Sequence, residues 1–320
     1  MSGPLSDATV VERATLWAGP GIGALLADYG ATVIKVEDVD RPDPLRAVVD
    51  ERMDVPLWVL AGRGKRCASL PLRTPEGQRA LGGLLASADV VLLNQSDRVL
   101  TQWSLSLEAL AETIPDAVIC ALSAFGHADP RTGNGTSIEA AGGLMDHPDE
   151  PRVSESFVGD HVAVLSAAVA VLSALHARAA GAGGTVIDAR MVDAALGACL
   201  PHVNRTRDAA APVVRDVLRS SDGARIAVSA TSARQSGRLR AAIGVDDGCS
   251  GPGLAPRVRE WAATRTAAEI RRAFEVHAIA AEPVVSARQA ALTRRAGCED
   301  AVVTVGEGGF GRVVLPVRLR

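Results

Sequence analysis

The chain has 320 residues, more than one hydrophobic core usually fills, so a large domain with a smaller companion is expected. Apolar residues make up 48% and charged residues 22%, a globular balance rather than a disordered one. A net charge of -3, with four Trp, four Phe and one Tyr, offers neither a polycationic surface nor stacking platforms, so nucleic acid and anionic membrane are excluded as partner classes.

In chain order, the first 200 residues alternate helix-like and strand-like segments, which predicts an α/β domain with a mostly parallel sheet. Gly21 to Tyr29 reads as a short amphipathic helix, turned by Gly30-Ala31 into the β-branched strand Thr32 to Val36. Thr74 to Ser87 has helical spacing through Leu81, Leu84 and Leu85 and leads into the apolar strand Val90 to Leu93. Leu107 to Glu112 is helical, Pro115-Asp116 breaks it, and Ala117 to Leu122 is the next strand. Asp160 opens a long buried helix that stops at Gly181-Ala-Gly-Gly184. The apolar run inside it, Val162 to Leu175, is too short for the ~20 residues of a membrane span. Thr185 to Ala189 is a strand, followed by a helix from Met191.

Beyond residue 205 Arg and Ala become dense. A strand is expected at Ala224 to Ser229, helices at Ala233 to Ile243 and Arg257 to His277, and a strand pair at Ala301 to Val305 and Arg312 to Leu319. The domains implied are 1–205, rejoined by 290–320, and a small α/β domain over 215–289. The five cysteines are widely spaced, with no CxxC, which indicates neither a disulfide framework nor a zinc site; no metal is expected. Asp7, Glu12 and Arg13 stand where an export signal needs an apolar run, so a reducing cytoplasm is the expected location.

Residues 19 to 24, Gly-Pro-Gly-Ile-Gly-Ala, satisfy G-x-G-x-x-A, and Glu37 ends the following strand where a ribose-binding acid would sit. Only five residues separate Ala24 from Gly30, too few for the usual three-turn helix, and Glu12 and Arg13 interrupt the segment before it. No NAD site is expected.

The same segment reads better otherwise. Ala18-Gly19-Pro20, Leu25 to Gly30, Ala31 to Glu37 and Asp43-Pro44-Leu45-Arg46 occur in order. They are followed by Gly62-Arg63-Gly64-Lys65-Arg66, Thr74-Pro75-Glu76-Gly77, Ala88-Asp89-Val90 with Asn94, Ser123-Ala124-Phe125-Gly126, Gly142-Gly143-Leu144-Met145 and Gly159-Asp160. Asp222-Gly223, Trp261 to Thr266 and Leu315 to Arg318 complete the series. Together these resemble the class III CoA-transferase family, which includes the CaiB/BaiF, formyl-CoA transferase and α-methylacyl-CoA racemase branches, over essentially the whole chain. The resemblance implies a Rossmann-like large domain, a small α/β domain, an interlocked homodimer and a cytosolic enzyme acting on acyl-CoA and a small carboxylate.

By the resemblance Asp160 is the nucleophile. Placed after Gly159 at a helix start, it would be held ionised by the helix N-terminus, although Asp is equally a preferred helix cap. Glu139 is a second carboxylate that could approach it, or a helix-surface residue. For coenzyme A, the cations Arg46, Arg63, Lys65 and Arg66 are expected at its phosphates, and Asn94 at the carboxyl end of a strand where ligands meet open sheets. His127 and His161 are titratable neighbours of these motifs.

Several positions depart from the family pattern. Trp17 stands where oxalate-type transferases place Gln, and Asn134-Gly135-Thr136-Ser137 lacks the histidine base of the racemase branch. The stretch between the helix at Met191 and Asp222 is too short for the glycine-rich loop that covers the site in formyl-CoA transferases. A catalytically degenerate CoA-binding or partner subunit, and an acyl-CoA racemase or lyase, remain alternatives.

Overall fold

The computed structural model describes residues 3–48, 56–103, 105–146, 151–153, 157–203, 214–245, 253–286, 289, 302–304 and 311–313. Two units are distinguished, Met1–Asn204 with Val303–Arg320, and Arg205–Val302.

The large unit is built on six parallel strands: β1 (Thr9–Arg13), β2 (Thr32–Asp38), β3 (Arg66–Leu70), β4 (Val90–Leu93), β5 (Val118–Ser123) and β6 (Thr185–Arg190). Their order is β3-β2-β1-β4-β5-β6. Strands covered by helices on both faces need apolar side chains on both faces. Val10, Val90, Leu92, Val118 and Cys120 turn to one layer of the core, and Val11, Val91, Leu93 and Ile119 to the other.

The first layer is covered by α1 (Ala18–Asp28), α6 (Gly135–Ala141), α7 (Val158–Ala179) and α8 (Met191–Val203). The second is covered by α3 (Pro75–Ala86), α4 (Asp97–Gln102) and α5 (Leu107–Thr113), while α2 (Leu57–Gly62) lies beside α1. Local chemistry sets the helix starts. The Thr74 side chain accepts from the Gly77 N–H ahead of Pro75, and Ser106 accepts from Ala109. Asn134 and Ser137 cap α6 reciprocally.

Several expectations need correction. Glu12 and Arg13 do not interrupt a strand; they are the last two residues of β1, both buried. Helix α1 has 11 residues and begins at Ala18, so Gly19, Gly21 and Gly23 lie within it rather than in a phosphate-cradling loop before it. A Cβ on Gly23 would collide with the Glu12 carboxylate, so this glycine is there for close helix-strand approach. Helix α7 runs for 22 residues, longer than its apolar run suggested, and by length and composition it is able to cross a membrane. Its inner face, including Ala163, Ala167 and Val171, is in the core, whereas Leu165 and Val169 are exposed.

The second unit has an antiparallel sheet of β7 (Val214–Arg219), β8 (Arg225–Ala230) and β9 (Ala280–Pro283). Helices α9 (Ala233–Ile243), α10 (Leu254–Ala263) and α11 (Ala267–Val276) share a core with it around Leu239, Val258, Ile270 and Phe274. The single helix expected over 257–277 is two helices, because Thr266 and Glu269 form a capping box that starts a new one. β10 (Val302–Thr304) and β11 (Gly311–Val313) form a two-stranded sheet. The rest of the expected tail strands, and the return expected over 290–301, lie outside the described residues.

Candidate active site

In an open parallel sheet, ligands meet the carboxyl ends of the strands where the strand order reverses. Here that is between β1 and β4. Directly beyond these ends lies a cleft of about 490 Å³. It is lined by Thr15, Leu16 and Trp17 after β1, Asn94 after β4, Ala124 after β5, and Gly135 and Thr136 at the start of α6. Asp160 also lines it.

Asp160 lies in the first turn of α7, where an acid faces the positive end of the helix. It does not cap the helix. The cap position is Phe157, held left-handed at φ 48°, with no side-chain capping bond. The chain turns abruptly there to present Asp160, which is only 8% exposed. Gly135 faces its carboxylate, and a Cβ at Gly135 would collide with Oδ2. Burial pushes the Asp160 carboxyl above the ordinary carboxylate range; His161 pulls it back and the Glu139 charge adds to the rise. The helix start, expected to favour the ionised form, is thus opposed by desolvation.

Glu139 is buried on α6, and its Oε1 accepts the Gly159 N–H at 2.9 Å. It is not among the described residues lining the cleft, so its observed role is to fix the start of α7. His161 places Nδ1 2.8 Å from the Phe157 carbonyl and its ring 5.8 Å from that of Trp17, so it braces the same turn. The backbone N–H of His127 donates to Asp188 at 3.3 Å.

The expected CoA cations are mostly engaged inside the protein. Lys65 is corrected as a phosphate ligand: its side chain is fully buried, with Nζ 2.6 Å from Glu12 Oε2 and 2.6 Å from the Pro20 carbonyl. Lys35 joins this network, reaching Glu12 at 3.3 Å, Asp43 at 2.9 Å and the Ala14 carbonyl at 2.7 Å. Asp43 in turn accepts the N–H of Leu16 at 2.9 Å, and Leu16 sits at φ 64°. The two lysines of the chain thus fix the loop that forms one wall of the cleft.

Arg46 pairs bidentately with Glu37 at 2.9 Å and stacks 4.8 Å from the Trp58 ring. Arg63 donates to Asp28 at 2.6 Å and to the Leu60 carbonyl at 3.0 Å. Arg66 is exposed at the first position of β3. Asn94 is in the cleft, but its amide clasps the Thr15 backbone, accepting the N–H at 2.9 Å and donating to the carbonyl at 2.7 Å.

Sequence reasoning missed the apolar wall made by Leu16, Trp17, Val48 and Phe157. Trp17, directly before the Ala-Gly-Pro motif, was the available signal; nothing local marks Phe157 as a left-handed residue.

Comparison with known proteins agrees with this architecture. The family model described as CoA-transferase family III matches residues 5–319. A succinyl-CoA–D-citramalate CoA-transferase of Chloroflexus aurantiacus is 37% identical over 58% of this chain and 48% of its own. A succinate–glutarate CoA-transferase of Agrobacterium fabrum is 32% identical over 54% of this chain and 46% of its own. The matches thus span about half the length of these relatives. The crystal structure of a CaiB/BaiF family protein from Brucella suis, 25% identical, superposes with a TM-score of 0.82 over 100% of this chain and 93% of that one. A match of the family model along nearly the whole chain, on a fold shared with a CaiB/BaiF protein, means that the chain belongs to CoA-transferase family III.

Proposed function

We propose that the chain transfers coenzyme A between an acyl-CoA and a carboxylic acid, with Asp160 as nucleophile. The observation that carries this is the Asp160 carboxylate, lining a cleft at the carboxyl ends of β1 and β4 and facing the bare Cα of Gly135. Asp160 attacks the thioester carbonyl carbon, the C–S bond breaks, and CoA leaves as a thiolate, producing a mixed anhydride. The thiolate then attacks the Asp160 carbonyl, releasing the donor carboxylate and leaving an aspartyl-CoA thioester. The acceptor carboxylate attacks this thioester and expels the thiolate. Attack of the thiolate on the new acyl carbonyl releases acyl-CoA and regenerates Asp160. The positive end of α7 favours the negative charge developed along this path.

Arg66 and the outer edges of Arg46 and Arg63 are the cations assigned to CoA phosphates, and the relatives named for succinyl-CoA support acyl-CoA as donor. The working form is a homodimer, supported by the exposed apolar residues of α7 and α8. A reducing cytoplasm suits the thiols Cys67, Cys120 and Cys199.

The test is the intact mass of the protein after incubation with a panel of acyl-CoAs and hydroxylamine. A hydroxamate at Asp160, absent from Asp160→Asn, supports the assignment; wild-type turnover by Asp160→Asn overturns it. A second reading, a CoA-binding or partner subunit without turnover, draws on the internal pairing of Lys65, Arg63 and Arg46. In that case CoA binds and no hydroxamate forms.

A further inference from the structure

The wall around Asp160 is apolar where it is also exposed. Leu16, Val48 and Phe157 line the cleft at 49%, 43% and 47% exposure. Large apolar side chains left in water at the mouth of a reactive site lack the burial that usually justifies them. Two of these three are also held at positive φ, 64° for Leu16 and 48° for Phe157, a conformation that disfavours side chains of this size. The backbone at both positions is over-determined. Leu16 is clamped by Asp43, and Phe157 by the His161 bond to its carbonyl. Trp17, Leu45 and Leu57 continue the surface inward. Among the described residues lining the cleft there is no Lys, Arg or His, so a second carboxylate on the substrate would meet hydroxyl and amide donors such as Ser123, Asn134 and Thr136 there but no described cation.

We infer that the acyl group carried by the thioester is an apolar monocarboxylic chain, seated against Leu16, Val48 and Phe157 with its carbonyl at Asp160. This rests on the transferase assignment for its thioester, but it concerns which acyl group is held. A methyl-terminated chain gains by leaving water for this wall, whereas the terminal carboxylate of a succinyl group would give up part of its hydration against Leu16, Val48 and Phe157 with no described cation to offset the loss.

The experiment is titration calorimetry of the full-length Asp160→Asn protein, which cannot react, with acetyl-, butanoyl-, hexanoyl- and succinyl-CoA. Affinity is expected to rise ~3-fold per added methylene from acetyl to hexanoyl, with butanoyl-CoA bound at least ~10-fold more tightly than succinyl-CoA. Adding Leu16→Ala or Phe157→Ala should weaken hexanoyl-CoA ~5-fold or more and leave acetyl-CoA within ~2-fold; both side chains are half exposed, so neither truncation opens a core cavity. Equal affinity across the series, tighter succinyl-CoA, absence of binding, or truncations that change only the oligomeric mass each overturn the inference. The hydroxylamine experiment is read separately. A hydroxamate formed from succinyl-CoA in preference to butanoyl-CoA defeats the apolar chain and keeps the transferase. A chain-length series without any hydroxamate keeps the apolar site and defeats the transferase.

Discussion

At the scale of single residues, the role proposed for Asp160 sets burial against reactivity. Its carboxyl lies above the ordinary range mainly because it is desolvated, with Glu139 adding to the rise and His161 opposing it. The proposed attack requires the ionised form, so the acid limb of kcat/KM should lie above the ordinary carboxylate range. His161→Gln should move it to still higher pH; an unmoved limb in that variant would mean His161 does not act on Asp160. A raised carboxyl also has a stability consequence. An acid whose value is higher in the folded than in the unfolded chain destabilises the fold once ionised; this is absent below the ordinary carboxylate range and grows as pH rises through the shifted value. Asp160→Asn carries no such charge, so its Tm at neutral pH should equal or exceed that of the wild type, with the advantage fading on acidification. Gly135 is the third member of this group. Gly135→Ala sets a methyl against Oδ2 of Asp160, and the carboxylate is the part that yields. The expected result is a fall in kcat of ~10² or more with a circular dichroism spectrum like that of the wild type, a small displacement near reacting atoms being enough for such a loss.

At the scale of elements, the clearest lesson is what buried charge does to a sequence reading. β4 and β5 were visible because their residues are apolar on both faces, and α3 because Thr74-Pro75-Glu76 announces it. β1 was not visible, because Glu12 and Arg13 look like a break until Lys35 and Lys65 are known to reach Glu12, from β2 and from just before β3, and Arg13 to lie over the Trp103 ring. Pairing over 23 and 53 positions leaves no local periodicity to detect. The same distance effect decided the site. Asp160 was legible from a motif, whereas the engagement of Lys65, Arg63 and Arg46 depends on partners that only the fold supplies. The split between α10 and α11 is legible in the capping-box spacing of Thr266 and Glu269, although the apolar pattern runs on across it. The Glu12–Lys65 pair gives a direct test. Removing one partner of a buried ion pair strands the other charge, so Lys65→Met should cost about 3 kcal/mol, the low end of the usual ~3–5 because Lys35 still faces Glu12. Glu12→Gln combined with Lys65→Met should recover part of that loss in urea unfolding. A loss of CoA affinity in Lys65→Met without a loss of stability would return this lysine to the binding surface.

At the scale of the whole molecule, the unresolved balance is the outer face of α7. Leu165, Val169 and Leu172 recur at helical spacing and are 55%, 63% and 36% exposed, and the neighbouring α8 adds Leu196 and Leu200 at 47% and 52%. Exposed apolar residues recurring on two helices in contact are of the kind that marks an interaction site. The start of α7 carries Asp160 and its other face fills the core, so whatever covers the outer stripe bears on the helix that positions the proposed nucleophile. The proposed occupant is a second copy, in an interlocked dimer burying well above the ~2,000 Å² at which obligate interfaces begin. An interface of that size leaves no stable folded monomer, so light scattering should read a dimer at the lowest measurable concentration, and the unfolding midpoint should depend on protein concentration. Val169→Glu places a charge at the centre of the stripe and, since that side chain is exposed within one chain, disturbs no packing inside the large unit. It should lower the dimer population and, with it, CoA transfer, while Leu172→Met should leave both unchanged. A monodisperse, folded species of 33.0 kDa in the wild type would overturn the dimer and leave the α7 stripe to a different partner.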